Sequence, residues 1–165
     1  VSSSTITSTS LTFDPRWIHN RQPATTETLF YDGDCGFCHR VVRFVLSEDS
    51  RGVFRFAPLE GALFHEEVPE ADQARLPDSF VIRTDSGRVL CESDAVIHML
   101  RRLGGFWWAL SWPLAVLPKP VRDRGYHQVG RNRQRLFARP QAACPLVGPE
   151  LRRRFVLDES VREAA

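Results

Sequence analysis

Between residues 27 and 104 the hydrophobic positions change period several times, and each change marks an element. Thr28-Leu29-Phe30-Tyr31 is a short apolar run of strand formers. From Gly36 to Leu46, Phe37, Val41, Phe44 and Val45 recur at helical spacing, which predicts a first helix with those four toward the core. Ser47-Glu48-Asp49-Ser50 ends it. Val53-Phe54-Arg55-Phe56-Ala57 alternates and reads as a second strand, closed by Pro58, with a short helix expected over 59–67. Phe80-Val81-Ile82-Arg83 and Arg88-Val89-Leu90-Cys91 flank Thr84-Asp85-Ser86-Gly87, a hairpin signal. Ser93 is a natural N-cap for the helix that follows, with Asp94 in its first turn. Val96, Met99, Leu100 and Leu103 form its stripe, and Gly104-Gly105 ends it.

The pattern then changes character. Phe106 to Leu117 is almost wholly apolar and holds three tryptophans. At about twelve residues it is too short for a membrane span, which needs ~20, and Pro113 and Pro118 interrupt it. A buried helix packed on the core is expected, with a membrane-touching patch as the alternative. Pro120 to Ala138 predicts a last long helix, with Val121, Gly125, Val129 and Leu136-Phe137 on one face and arginines on the other. The expected organisation is a flexible Ser/Thr-rich leader over 1–26, a core over 27–104, a helical extension packed on the core over 105–139, and an irregular basic tail over 140–165 with a short helix near Leu151–Phe155.

Composition adds a frame. The chain of 165 residues is 42% apolar, enough for one globular domain with a sizeable core. Val1 to Ser10 lacks the charged start and apolar centre of a signal peptide. Four cysteines fall as one close pair plus Cys91 and Cys144, which suits a reducing, cytoplasmic compartment rather than a disulfide scaffold. The net charge of +2 is unevenly spread: residues 1–100 carry −6 and residues 101–165 carry +8. Six arginines lie between Arg122 and Arg139 with Asp123 the only acid among them, so the basic half faces either the acidic half or an anionic partner.

The chemistry concentrates in Tyr31-Asp32-Gly33-Asp34-Cys35-Gly36-Phe37-Cys38, between a strand and a helix. Cys-x-x-Cys at a helix start puts two sulfurs in disulfide reach and points the first at the free N–H groups of the opening turn, which stabilise a thiolate. Cys35 is the expected nucleophile and Cys38 the resolving thiol. Asp32 and Asp34 oppose that stabilisation with negative charge, so Arg131 or Arg135 is expected to approach them. His39 follows Cys38 and is a candidate to tune it; His65, His98 and His127 show no triad spacing. Cys91 reads as a small buried hydrophobe and Cys144 as a loop cysteine. A zinc site from Cys35, Cys38, Cys144 and His39 has suitable donors, but a second Cys-x-x-Cys is missing, and no metal is expected.

The order strand, helix, strand, helix, hairpin, helix is that of a thioredoxin-like α/β core, a mixed four-stranded sheet with flanking helices, here with a C-terminal helical extension. The motifs agree with this. Asp34-Cys35-x-x-Cys38, Pro77-Asp78-Ser79 before a strand, the Asp85-Ser86-Gly87 turn, Ser93-Asp94-Ala95, Leu103-Gly104-Gly105 and Arg131-Asn132-Arg133-x-Arg135-Leu136-Phe137 together resemble the DCC family of thiol-disulfide oxidoreductases, over about residues 28–139. The resemblance implies a thioredoxin-like fold and dithiol chemistry. Pro77 and Glu92-Ser93 are also similar to the glutathione-site half of glutaredoxins and glutathione transferases. That likeness implies a cis Pro77 beside the active cysteine, and Glu92 with Ser93 holding a peptide thiol.

The leading expectation is a thiol-disulfide oxidoreductase acting on protein or small-molecule disulfides, with no cofactor beyond its own dithiol. The alternatives are a glutathione-linked activity, with glutathione as co-substrate, and a non-enzymatic binding module whose basic face docks on an anionic membrane. Arginine runs without interleaved exposed aromatics make a nucleic-acid partner the weaker expectation.

Overall fold

The computed structural model describes residues 26–74, 76, 80–136 and 149–156, with the side chains of 133–136 set aside. Four strands, β1 (Glu27–Tyr31), β2 (Phe54–Pro58), β3 (Val81–Arg83) and β4 (Val89–Cys91), form one sheet in the order β2-β1-β3-β4. β1 runs parallel to β2 and antiparallel to β3, and β3–β4 is the expected hairpin. Its turn is closed by Thr84 and Arg88, with Gly87 at φ 80, a left-handed conformation open to glycine. The helices among the described residues are α1 (Gly36–Glu48), α2 (Ala62–Glu67), α3 (Glu70–Gln73), α4 (Glu92–Leu103), α5 (Gly105–Val116), α6 (Lys119–Leu136) and α7 (Pro149–Arg152). This mixed sheet with flanking helices is the thioredoxin-like arrangement.

The period-2 geometry of strands sends alternate side chains to opposite faces. Leu29, Tyr31, Phe56 and Ile82 join one cluster with Cys38, Val42 and Val45 of α1 and Ala95, Met99 and Leu103 of α4. Phe30, Ala57 and Val81 join the other with Phe64 of α2. Because both faces are covered, β1 is buried along its whole length, including the charged Glu27. Glu27 meets His98 Nε2 at 2.7 Å and Arg102 Nε at 2.8 Å, so α4 supplies the countercharge.

Three expectations change. The buried stripe of α1 is Cys38, Val42, Val45 and Leu46, whereas Phe37, Val41 and Phe44 are only partly buried. Both sides of α1 are apolar, and the sheet takes one while other helices take the other: Phe44 packs edge-on to Trp107 of α5 at 4.8 Å. Helix α4 begins at Glu92 with Cys91 as its cap residue, so Ser93 lies inside the first turn instead of capping it. Helix α5 lies against α4 and buries Ser111, but Phe106, Trp108, Trp112 and Val116 stay exposed. Pro113 sits within α5 instead of ending it. No helix among the described residues is long and apolar enough to cross a membrane.

Part of the segment expected as an irregular tail completes the sheet. Phe155 bridges in parallel to Phe56 on the free edge of β2, Phe56 N–H donates to Arg154 O at 2.8 Å, and Val156 N–H donates to Phe56 O at 2.8 Å. An unpaired strand edge is thereby covered. The 1–25 leader, Pro77, Cys144 and most of the tail lie outside the described residues.

Candidate functional site

The loop from β1 into α1 is held at several points. Asp34 N–H donates to Asp32 Oδ1 at 2.9 Å, an Asx turn, and Cys35 N–H donates to Asp32 O at 3.3 Å. The buried His39 ring donates from Nε2 to Gly33 O at 2.8 Å and stands edge-on to Tyr31, with ring centroids 5.8 Å apart. His39 thus clamps the loop that presents the cysteines.

Cys35 is the N-cap of α1, in extended conformation at φ −94 and ψ 108, and its Sγ accepts the Cys38 N–H at 3.3 Å. Helix caps usually offer a side-chain oxygen to this donor; here sulfur takes that place. The sulfurs of Cys35 and Cys38 and a carboxylate oxygen of Asp32 lie within 4.8 Å of one another, and the two cysteines are not joined by a disulfide. A disulfide needs about 2.05 Å between sulfurs, so side-chain rotation at a helix start is the motion that closes the pair. Cys35 is 9% exposed and Cys38 2%, so an incoming disulfide meets Cys35 first. The same trio would fill three of the four positions of a tetrahedral zinc site.

The other expected site residues disperse. Glu92 meets His127 Nε2 at 3.1 Å, and the buried Ser93 donates its hydroxyl to Asp123 Oδ1. Arg131 is exposed and donates to Gln128 Oε1 at 3.1 Å in its own helix, not to Asp32 or Asp34. Pro77 and the side chain of Arg135 lie outside the described residues. Cys91, at the end of β4, is half-buried; burial pushes its thiol up, and the Glu92 carboxylate adds to this.

Sequence reading missed two features. The first turn of α4 docks on α6 through charge: Asp94 meets Lys119 at 2.9 Å and Arg122 at 2.7 Å, and Lys119 also meets Asp123 at 3.0 Å. The opposite charges of the two halves and the isolated acid Asp123 among arginines were the signals, but they named no pair. Burial pushes the Asp123 carboxyl up, but the Ser93 hydroxyl and the Lys119 and Arg122 charges outweigh it and hold it below its ordinary value. Such a group contributes stability that is present above the ordinary carboxylate range and lost as pH falls through the depressed value. Amide exchange in α6 is therefore expected to accelerate relative to α1 below about pH 4, and Asp123→Asn to remove most of that pH dependence. Unchanged acid sensitivity in the variant would contradict this assignment.

The second feature is a cavity of about 550 Å³ beside the dithiol, between α1, α4, α5 and α6, with Cys38 in its wall. The spare apolar positions Phe37 and Val41 were its signal, but nothing in α1 alone tells a cavity wall from a second packing face.

Comparison with known proteins agrees with this geometry. The family model described as DCC1-like thiol-disulfide oxidoreductase matches residues 29–139. The uncharacterized protein YuxK of Bacillus subtilis is 33% identical over 132 residues, covering 78% of this chain and 92% of that protein. A chloroplastic DCC family protein of Arabidopsis thaliana is 27% identical over 118 residues, covering 72% of this chain and 68% of that protein. No solved structure matches the chain. With that family model spanning sheet, dithiol loop and helical extension alike, the chain belongs to the DCC1-like thiol-disulfide oxidoreductase family.

Proposed function

We propose that the protein is a dithiol reductase of the cytoplasm that acts on protein or small-molecule disulfides through Cys35 and Cys38. The observation that carries this reading is the cap of α1: Cys35 Sγ at the helix start, holding the Cys38 N–H at 3.3 Å, with the second sulfur within 4.8 Å. Cys35 thiolate attacks one sulfur of the substrate, forming a mixed disulfide and expelling the other sulfur as a thiolate. Cys38, deprotonated, then attacks Cys35 Sγ and releases the second substrate thiolate. Two electrons leave the protein, the substrate becomes two thiols, and a Cys35–Cys38 disulfide remains for an external dithiol to reduce. Asp32, with a carboxylate oxygen within 4.8 Å of both sulfurs, would take the Cys38 proton through one bridging water.

A glutathione-linked exchange is the second reading. What favours it is the backbone of Glu92, a non-glycine residue at φ 53, since such conformations gather at ligand clamps. Glutathione bound there would compete with His127 for Glu92 and with Asp123 for Ser93.

Thiol trapping across glutathione and dithiothreitol buffers tests the main reading. A single two-electron transition of Cys35 and Cys38 below about −200 mV is expected for a reductase. A much more positive value would make the pair an oxidant or sensor. Failure to form any reversible disulfide, with bound zinc in the purified protein, would replace the redox reading with a metal site on Asp32, Cys35 and Cys38.

A further inference from the structure

The cavity beside Cys38 is built from a consistent set of surfaces. Phe37, Cys38 and Val41 of α1 face Val121, Gly125 and Val129 of α6, the latter three spaced i, i+4, i+8 along one face of the helix. Leu114 and Leu117, at the end of α5, close another side. The polar side chains in this wall are few, and they are largely engaged elsewhere. Ser93 gives its hydroxyl to Asp123, and Arg122 reaches Asp94 through Nη2. Arg122 Nε is buried without a hydrogen-bond partner.

The glycines make the space more telling. Glycine inside a helix costs about 1 kcal/mol relative to alanine. At both Gly125 and Gly130 of α6 an added Cβ would meet nothing within 4 Å. Neither glycine is there to let another element approach closely; each leaves open volume in the wall instead. An apolar volume of this size falls in the range of small-molecule sites, which are mostly hydrophobic with a few placed polar groups.

We propose that this cavity seats the apolar substituent of a small organic disulfide, so that aryl or branched-alkyl disulfides are preferred over hydrophilic ones such as cystine. This rests on the dithiol reading of Cys35 and Cys38 and names the substrate class of that site. The hydrocarbon body fills the space against Phe37, Val41 and Val129, and the attached S–S bond lies at the rim beyond Cys38, toward Cys35, whose Sγ is within 4.8 Å of the Cys38 sulfur. The exchange itself is the two-step attack by Cys35 and then Cys38, with dithiothreitol restoring the dithiol.

Gly125→Leu tests this by filling the cavity from a helical position where an added Cβ meets nothing within 4 Å. With dithiothreitol as reductant, kcat/KM is measured for dibenzyl disulfide and for cystine, and the ratio of the two is compared between the wild type and the variant. The comparison cancels the intrinsic reactivity of each disulfide. The ratio is expected to fall at least about tenfold, the discrimination that an apolar pocket supplies for a poorly fitting group. Gly130→Leu serves as a second filling variant should the first lose its cooperative melt. Binding of dibenzyl sulfide, a thioether that cannot be reduced, is followed in parallel by methyl signals of Val41, Val121 and Val129. Saturable shifts in the wild type and their loss in the variant are expected.

The two readings fail differently. Thioether binding that Gly125→Leu abolishes, without turnover of either disulfide by the wild type, keeps the cavity as an apolar ligand site and removes the dithiol reading. Turnover with an unchanged ratio in both filling variants, and no thioether binding, overturns the cavity inference and leaves the dithiol reading intact. A fall of equal size on both disulfides also overturns it, since the substitution would then act on the dithiol and not on the substituent.

Discussion

Cys35→Ser is expected to lower disulfide reduction by at least about 10³-fold, a conservative figure beside the ~10⁶-fold loss seen when a serine protease loses its nucleophile. The serine hydroxyl still accepts the Cys38 N–H, so the cap of α1 survives and the fold with it. What disappears is the thiol nucleophile. Cys38→Ser is expected to behave differently. Attack by Cys35 remains, release does not, and a mixed disulfide with the substrate accumulates, visible as an added mass on the intact protein. This asymmetry follows from position: both sulfurs border the main core cluster, but Cys35 stands at the open end of the helix with 9% exposure and Cys38 one turn inside with 2%. Steady-state turnover together with intact mass reads both outcomes. Equal activity loss with trapping in the Cys35→Ser variant instead would reverse the assigned roles.

Asp49→Ala is expected to cost about 3–5 kcal/mol of stability, the range for leaving a buried charge without its partner. Asp49 follows α1 with a side chain only 1% exposed. Its carboxylate accepts the N–H groups of Val53 at 3.0 Å and Phe54 at 2.9 Å and pairs with the Arg154 guanidinium. Three elements meet on that one group: the end of α1, the entry to β2 and the segment after α7. Its removal leaves two N–H donors unpaired and a largely buried arginine without its countercharge at once. Arg154→Met is expected to cost less, because Asp49 keeps both N–H donors. It still removes the bond to Phe54 O at 2.9 Å and the cation over the Phe56 ring, 5.3 Å from its centroid. A loss of several kcal/mol is large against the 5–15 that holds a typical domain together. Urea unfolding checks the order of the two variants; a smaller shift for Asp49→Ala than for Arg154→Met would contradict this account.

The strands, the hairpin and the first helix were legible because each depends on local pattern. Apolar runs of four or five residues bounded by turn signals can only be buried strands here, and Gly87 meets the positive φ of the hairpin turn. The dithiol was legible for the same reason: a spacing of three positions between cysteines at a helix start fixes their separation through backbone geometry alone, whatever the rest of the chain does. Helix faces were less legible. Alpha-helix α1 is apolar on two sides, so its period could not say whether Phe37 and Val41 or Cys38 and Val42 meet the sheet; the structure gives the sheet to Cys38 and Val42.

Charge was the part the sequence stated but could not place. The basic and acidic halves do meet, yet through Asp94 with Lys119 and Arg122 and through Asp49 with Arg154, not through Asp32 or Asp34 with Arg131. Ion pairs form between whichever side chains packing brings within about 4 Å, and packing is a property of several elements at once. The apolar helix α5 shows the same limit. Its composition predicted burial, but only one side of it finds a partner surface, and five large apolar side chains, Phe106, Trp108, Leu110, Trp112 and Val116, remain outside.

The sequence by itself therefore determined the sheet elements, the Cys35–Cys38 cap and the family, since spacing along a chain sets strand alternation and helix-start geometry. Only the tertiary structure decided which face of α1 is core, that residues near Phe155 close the edge of β2, and that Cys38 borders an apolar cavity between four helices. Those depend on distances between elements remote in sequence, which local pattern does not encode.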